Sequence, residues 1–96
     1  MPMLTAEDFE SYVGQAFVPQ GQDRALTLVS VTRYPGFGHD SAVRDPFALI
    51  LRGPPGNTLP EGMYGAVAED GRVFPLYIIP IHTAARTWQD YQAMFN

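Results

Sequence analysis

His39, Asp40 and Ser41 bring the three side-chain types of a hydrolytic triad into one short stretch. Adjacent residues cannot form a triad, because the nucleophile and its base must converge from separate places in the fold. The chain also has no G-x-S-x-G motif, which would present a serine on a sharp turn between a strand and a helix. We therefore interpret the stretch as a polar loop, keep a hydrolase using His39 and Asp40 as a minor hypothesis, and expect a protein that is not an enzyme.

A metal site is the second chemistry to consider. His39 and His82 could share an ion with Asp40 or Asp45. A metal site needs three or four converging ligands, however, and the two histidines do not have the spacing that a helix or a hairpin uses to bring ligands together. We expect no metal and no cofactor.

Paired carboxylates are the third possibility. Glu61, Glu69 and Asp70 could serve as an acid and a base only if they faced each other across a cleft. Glu69 and Asp70 fall in a predicted hairpin turn, which normally projects into water and favours Asp for its own backbone reasons. These acids are interpreted as turn residues.

Aromatic residues in or beside loops are the more open candidates for binding. Tyr34, Phe37 and Trp88 are interleaved with Gly and Pro, a composition that suits a sugar-stacking or protein-docking surface. Arg52, at the end of a predicted strand, is a fourth candidate. The alternative is that Phe37 anchors its loop and Trp88 covers the core, because large aromatic side chains are usually mostly buried.

Composition excludes several classes of function. The chain has 96 residues, no Cys and a net charge of −4, and its basic residues are all Arg. Absence of Cys excludes thiol chemistry, and absence of Lys excludes Schiff-base chemistry. A phosphate backbone requires a basic stripe, so we expect no nucleic-acid partner. No apolar run is long enough to cross a bilayer and no signal peptide is evident, so we expect no membrane partner and a cytoplasmic location before any assembly.

The elements that must position these residues are short. A capping-box spacing from Thr5 to Asp8 predicts a helix from Ala6 to Val13, laid on the domain by Phe9 and Val13. Predicted strands follow, the first two at 16–18 and 25–34. The alternation slips between Leu28 and Val29, which indicates a bulge or burial on both faces. Later strands are predicted at 47–52, 63–68, 73–81 and 90–95, with a helix over 88–96 as the alternative to the last.

The central element is the apolar run Phe47 to Leu51, which is typical of a strand buried on both faces. Pro75 is expected on a sheet edge or at a bulge, because its nitrogen cannot donate to a ladder. The whole chain is predicted to be a single mainly β domain, residues 1–96. We expect about six short strands in a small antiparallel β-sandwich or partly open barrel, with one N-terminal helix.

Several motifs occur in an order shared with a known family. They are Leu4–Phe9, Val13-Gly14, Pro46-Phe47, Leu51–Pro55, Leu59–Tyr64, Pro80 and Tyr91–Asn96. Together they resemble an uncharacterised family of bacterial domains of about this length, a domain-of-unknown-function family. Genes of that family occur near phage-tail-like, tail-collar genes, so the resemblance implies a part in a tail-like or surface assembly and no catalytic residues.

The sequence therefore predicts a non-enzymatic structural or interaction module, with a protein partner or a second copy of the chain as its binding partner. A small-ligand or carbohydrate-binding module that uses Tyr34, Phe37, Trp88 and Arg52 is the alternative. The predicted contact surface is an exposed strand edge or the loop 53–60.

Overall fold

The computed structural model describes residues 4–34, 46–84 and 87–95. It contains one short helix and six strands in the described part of the chain. Their bounds are α1 Ala6–Glu10, β1 Ala16–Pro19, β2 Leu26–Arg33, β3 Phe47–Gly53, β4 Gly62–Ala68, β5 Val73–Pro80 and β6 Gln89–Phe95. The mainly β class with one helix near the N-terminus is confirmed, and the last segment is a strand. None of the described helices is both long enough and apolar enough to span a membrane.

The strands close into an antiparallel barrel in the order β1-β2-β3-β6-β5-β4, so that β1 pairs with β4. Of the two architectures predicted, the barrel is the one observed. Pairing is extensive between β3 and β6, from Phe47 opposite Phe95 to Gly53 opposite Gln89. It is brief between β5 and β6, where only Ile78 to Pro80 find partners.

Strand β3 lies between β2 and β6 and supplies much of the core. Its burial is nearly continuous, as predicted, because Phe47, Ala48, Leu49 and Leu51 are all at most 1% exposed. The prediction is wrong at Ile50, which is only half-buried. Side chains alternate between the faces of a strand, so Ile50 points to the outside of the barrel, as Arg52 does.

Helix α1 covers one mouth of the barrel, which we call the helix end. The predicted capping box is present, with the backbone N–H of Thr5 donating to Asp8 Oδ2 at 2.7 Å. The helix is shorter than predicted because it ends at Glu10. Phe9 is fully buried, but the second expected anchor is wrong, because Val13 is 45% exposed. Tyr12 replaces it, since the turn after Glu10 carries this side chain inward.

The contacts at the helix end are mainly aromatic. The Phe9 ring centroid lies 5.9 Å from that of Phe47, 4.8 Å from Phe74 and 5.5 Å from Phe95. These partners come from β3, β5 and β6, so one helical side chain ties three strands together. Tilted aromatic pairs at such separations add about 0.5–1.5 kcal/mol each beyond the area they bury.

The opposite mouth, the loop end, is closed by residues 54–61. Leu59 is 2% exposed and belongs to the core cluster, although it lies in a loop. Its backbone N–H donates to the hydroxyl of buried Tyr91 at 3.0 Å. Arg24 Nη1 donates to the carbonyl of Asn57 in the same loop. The loop therefore folds back over the barrel instead of extending into solvent.

Three local predictions are confirmed. The register of β2 shifts between Leu28 and Ser30, which is the predicted bulge. Residues 69–72 form the predicted hairpin turn, in which Gly71 has a φ of 89° that a side chain would disfavour. Pro75 lies in the part of β5 that precedes its pairing with β6.

The backbone direction explains why Pro75 is tolerated. It lies opposite Gly65, whose carbonyl accepts the N–H of Gln20 on the β1 side. Gly65 and Pro75 therefore form a non-hydrogen-bonded pair of the antiparallel ladder, in which the backbone N–H and C=O positions of both residues point away from the partner strand. The nitrogen of Pro75 therefore faces the open edge of β5 and removes no ladder bond.

Replacing Leu49 by Ala should lower the free energy of unfolding by about 2–5 kcal/mol, because a fully buried side chain is lost from the middle of the core. Urea unfolding followed by circular dichroism measures the change. Met63→Ala removes a comparable volume from a side chain that is 65% exposed and is the matched control. We expect it to cost about 0.5 kcal/mol or less. A loss below about 1 kcal/mol for Leu49→Ala would contradict its place in the core.

Replacing Tyr91 by Phe should cost about 1–3 kcal/mol, because the buried N–H of Leu59 loses its acceptor without any change in packing volume. Tyr64→Phe is the control, since the Tyr64 hydroxyl donates to the carbonyl of Pro60 in an exposed position where water can replace it. Equal losses of stability for the two variants would show that Tyr91 does not hold the loop.

Candidate functional site

Arg52, Trp88 and Asp90 form a cluster on the outside of the barrel at its loop end. Arg52 Nε donates to Asp90 Oδ1 at 2.8 Å, and Arg52 Nη2 donates to Asp90 Oδ2 at 3.2 Å. The guanidinium carbon of Arg52 lies 4.2 Å from the centroid of the Trp88 ring. Two of the predicted binding residues, Arg52 and Trp88, are thus brought together.

The pairing of β3 with β6 positions this cluster. Arg52 and Asp90 are direct partners in the ladder, so their side chains emerge on the same face. The segment that carries Trp88 is fixed by Thr83, whose Oγ1 accepts the N–H of Asp90 at 2.9 Å. Gln89 Nε2 adds a bond to the carbonyl of Ile81 at 2.9 Å.

The Arg52–Asp90 pair is a bidentate ion pair in which the carboxylate is the more buried partner, with 16% of its side chain exposed. The hydrogen bond to Asp90 raises the pKa of Arg52. Most of the N–H donors along one edge of the Arg52 guanidinium are therefore used within the domain. The flat face of the guanidinium covers one face of the Trp88 ring. The cluster orders the loop end and presents a half-buried indole beside a cation.

The other aromatic candidates lie elsewhere. Tyr34 is half-buried, and its N–H donates to the carbonyl of Pro46 at 2.9 Å. It therefore lies at the helix end, beside the start of β3, whereas Arg52 is near the end of that strand. Five residues of strand separate the two places by about 17 Å. Phe37 lies outside the described residues, so the predicted grouping of Tyr34, Phe37 and Trp88 remains a prediction.

The candidate catalytic and metal-binding residues can be followed only in part. His39, Asp40, Ser41 and Asp45 lie outside the described residues. Within ranges 4–34, 46–84 and 87–95, no group of three or more His, Cys, Asp or Glu side chains has the arrangement of a metal site. His82 is an exposed loop residue.

The candidate carboxylates lie at opposite ends of the barrel. Glu61 precedes β4 at the loop end, where Oε2 accepts the hydroxyl proton of Tyr77. Glu69 and Asp70 lie in the turn after β4, at the helix end. Glu69 Oε2 accepts the N–H of Ala16 at 2.8 Å.

The Tyr12 hydroxyl donates to Asp70 Oδ2 at 2.6 Å and ties the turn after α1 to the β4–β5 hairpin. This bond is the main cause that lowers the pKa of Asp70 and raises that of Tyr12. Asp70 therefore stays ionised at neutral pH. The carboxylate serves as a structural acceptor at the helix end.

One surface was missed by the sequence interpretation. Apart from Val13, every large hydrophobic side chain that is exposed among the described residues lies on the outer surface of four adjacent strands, β1, β4, β5 and β6. We call this surface the β4–β5 outer face. It consists of Val18, Met63, Gly65, Val67, Val73, Pro75, Tyr77 and Met94.

Strand register assembles this face in two rows. Val18 lies opposite Val67, which lies opposite Val73. Met63 lies opposite Tyr77, and the β5–β6 register continued by one residue places Tyr77 beside Met94. The rows are about 13 Å apart along the strands and span about 14 Å across four strands.

The middle of the β4–β5 outer face carries only small side chains from β4 and β5. Gly65 and Pro75 lie opposite each other between the two rows. The side chain of Gln20 folds over Gly65, and its amide oxygen occupies the space that a Cβ would need. A larger residue at this position would displace the end of the flexible Gln20 side chain, which contributes a polar group to an otherwise apolar surface.

A sequence signal for this face did exist. Neither β4 nor β5 contains a charged residue. A half-exposed antiparallel strand normally alternates apolar residues with polar ones, so two consecutive strands without charge indicate that the outward positions are apolar too. The signal was masked by Gly, Pro and Tyr at those positions, which are compatible with a turn or an edge.

Replacing Arg52 by Lys should shift the fluorescence of Trp88, the single Trp of the chain, to longer wavelength, because Lys keeps the charge but loses the flat stacking surface and the bidentate pair. Arg33→Lys is the matched control, since Arg33 makes a bidentate pair with Glu10 at the helix end. An unchanged spectrum for Arg52→Lys, or the same shift for both variants, would contradict the stacked arrangement.

Comparison with known proteins gives one relationship. Neither the curated proteins nor the solved structures contain a match to this chain. The model of a domain of unknown function (DUF6916) matches residues 4–95, which include the helix and all six strands described above. The chain therefore belongs to the DUF6916 family of domains of unknown function.

Proposed function

We propose that the domain is a non-enzymatic interaction module that docks a protein partner through the β4–β5 outer face. The observation that carries the proposal is the concentration of exposed apolar side chains on one uncharged side of a barrel whose core is already complete. Met63 is 65% exposed, Val73 48% and Tyr77 42%. Covering these side chains with a partner would remove apolar surface from water, which favours association.

The dimensions of the face indicate its role within an interface. An area of about 13 by 14 Å is much smaller than the ~800 Å² that each partner contributes to a standard stable interface. The face is therefore suited to be the apolar centre of a contact. Polar residues around it, including Tyr77 with its hydrogen-bonded hydroxyl, supply the rim.

The face suits docking better than the strand edge does. Residues 73–77 of β5 precede the pairing with β6 and form the open edge. Pro75 directs its nitrogen to that edge and offers no N–H, which is a known way of blocking strand addition. A partner that packs side chains onto the face needs no backbone hydrogen bonds from the edge.

The setting that we propose is a phage-tail-like or surface assembly. Its support is the order of motifs from Leu4 to Asn96 that resembles a bacterial family encoded near tail-collar genes. A component of such an assembly works by shape and contact. An uncharged face on a barrel plugged at both ends meets that requirement without catalytic residues.

A second candidate function, a small-ligand or carbohydrate-binding module, is favoured by the half-buried indole of Trp88 beside Arg52. Aromatic faces stack on sugar rings through their apolar surface. This candidate uses the loop end and leaves the β4–β5 outer face without a role. Titration of Trp88 fluorescence with a pool of oligosaccharides distinguishes the two candidates, since only the second expects a change.

The proposed docking face is tested by Val73→Glu and Val13→Glu, which make the same substitution at side chains that are 48% and 45% exposed. Affinity capture from the native host, quantified by mass spectrometry, should lose the partner about tenfold or more with Val73→Glu, because a charge would be buried at the interface centre. Val13→Glu, outside the face, should retain it. The retained partner should be a tail-like or surface component.

Met63→Glu, in the other row of the face, provides a second variant in case Val73→Glu does not fold, and thermal unfolding checks both. Retention of every captured protein by Val73→Glu and Met63→Glu would overturn the proposal. Equal loss with Val13→Glu would do so too, because the effect would then not belong to the face.

A further inference from the structure

The β4–β5 outer face has acidic residues at both of its ends. Glu61 lies at the loop end, directly before β4, and Glu69 and Asp70 lie at the helix end, in the turn between β4 and β5. The face itself contains no charged residue. This arrangement supports an inference about the chemistry of the partner, and that inference rests on the proposed docking function.

The fold holds these carboxylates in fixed positions. Glu61 accepts the hydroxyl of Tyr77, which is itself a residue of the face. Glu69 accepts the N–H of Ala16 at the start of β1. Asp70 accepts the hydroxyl of Tyr12 at 2.6 Å. An ionised carboxylate has about four lone-pair sites, so each of them keeps capacity for further donors. Groups that are already ordered lose little entropy when a partner binds.

The nearest cation in the turn, Arg72, acts on Asp70, because its charge and its backbone N–H help to lower the pKa of that carboxyl. Arg72, at the end of the same turn, places its guanidinium carbon 4.6 Å from the centroid of the Phe74 ring. Phe74 is 1% exposed and points into the barrel. Arg72 thus lies over the helix-end mouth. Asp70 is therefore partly compensated within the domain, and Glu69 is the carboxylate that marks the helix end of the face.

The distance between the two acidic ends sets a length for the partner. Eight residues of strand separate Glu61 from Glu69, which corresponds to about 25 Å. We propose that the partner presents an apolar protein segment flanked on both sides by Arg or Lys side chains about 25 Å apart, which matches the acidic ends of the β4–β5 outer face.

A second copy of this chain fits the face less well. Its own β4–β5 outer face would bring the same acidic ends, and each copy has a net charge of −4. Like charges placed opposite each other across an interface oppose association. A partner with basic flanks instead makes favourable electrostatic interactions at both ends of the face.

The test uses a display library of random 16-residue peptides selected on the biotinylated domain and deselected on Met63→Glu. A 16-residue peptide spans about 25 Å as a helix and more when extended. Enriched peptides should carry Arg or Lys on both sides of an apolar stretch. Their affinity should fall several-fold from about 50 to about 500 mM NaCl, because exposed charges are screened.

Glu61→Gln and Glu69→Gln test the two ends separately, since Gln keeps an acceptor oxygen but removes the charge. Each should weaken the selected peptides about two- to fivefold, as expected for exposed ion pairs. Glu7→Gln, on an exposed helical position away from the face, is the matched control and should have no effect.

The outcomes separate this inference from the proposed function. Two results would overturn the basic partner and leave the docking face intact. In the first, the peptides depend on Met63 but lack basic flanks. In the second, their affinity is unchanged by both Gln variants and by salt. Failure to enrich any peptide that depends on Met63 would overturn both. A dimer of the free domain in sedimentation, abolished by Met63→Glu, would show that the occupant is a second copy and overturn the basic partner alone.

Discussion

The ladder between β3 and β6 is the constraint on which the rest of the structure depends. It joins two segments that are distant in the chain and runs from Phe47 opposite Phe95 to Gly53 opposite Gln89. At one end it stacks the rings of Phe47 and Phe95, with centroids 4.6 Å apart, under helix α1. At the other end it pairs Arg52 with Asp90. A slip of one residue would turn every one of these side chains to the wrong face.

The same ladder explains how the two mouths of the barrel are closed. At the helix end, its terminal phenylalanines contact Phe9 of α1. At the loop end, Tyr91 is held inside the barrel beside Leu51, where its hydroxyl accepts the N–H of Leu59. The helix and the loop that close the two mouths of the barrel are thus both attached to this one ladder. The core is complete without the β4–β5 outer face, so the apolar side chains of that face are not needed to cover it.

A division of roles between the two sides of the barrel follows. On the outside of β3 and of the loop-end half of β6, Arg52 and Asp90 form an internal ion pair, which orders the loop end. The side formed by β4 and β5 carries no charge and pairs only briefly with β6. A surface that is neither charged nor needed by the core is available for contact with another protein, which is why the functional proposal is placed there.

Much of the fold could be predicted from local sequence. The capping box at Thr5 and Asp8, the bulge after Leu28, the turn at Gly71 and the edge position of Pro75 each follow from the backbone chemistry of a few neighbouring residues. The helix was predicted too long, and Val13 was wrongly given an inward position. One turn after Glu10 decides which side chain points inward, and that turn is set by its contact with β2, where Gly14 N–H donates to the carbonyl of Leu28.

The candidate site depended far more on tertiary structure. Arg52 and Trp88 could be named from their residue types and loop positions, but their stacking requires the β3–β6 register, which joins residues 38 positions apart at Arg52 and Asp90. The β4–β5 outer face requires three strand pairings to bring Val18, Met63 and Met94 to one side. By itself the sequence determined the mainly β class, the turns and the buried strand, because these follow from local backbone preferences and apolar periodicity. Only the tertiary structure decided which outward residues became neighbours, because the closure of a barrel is a property of all its strands together.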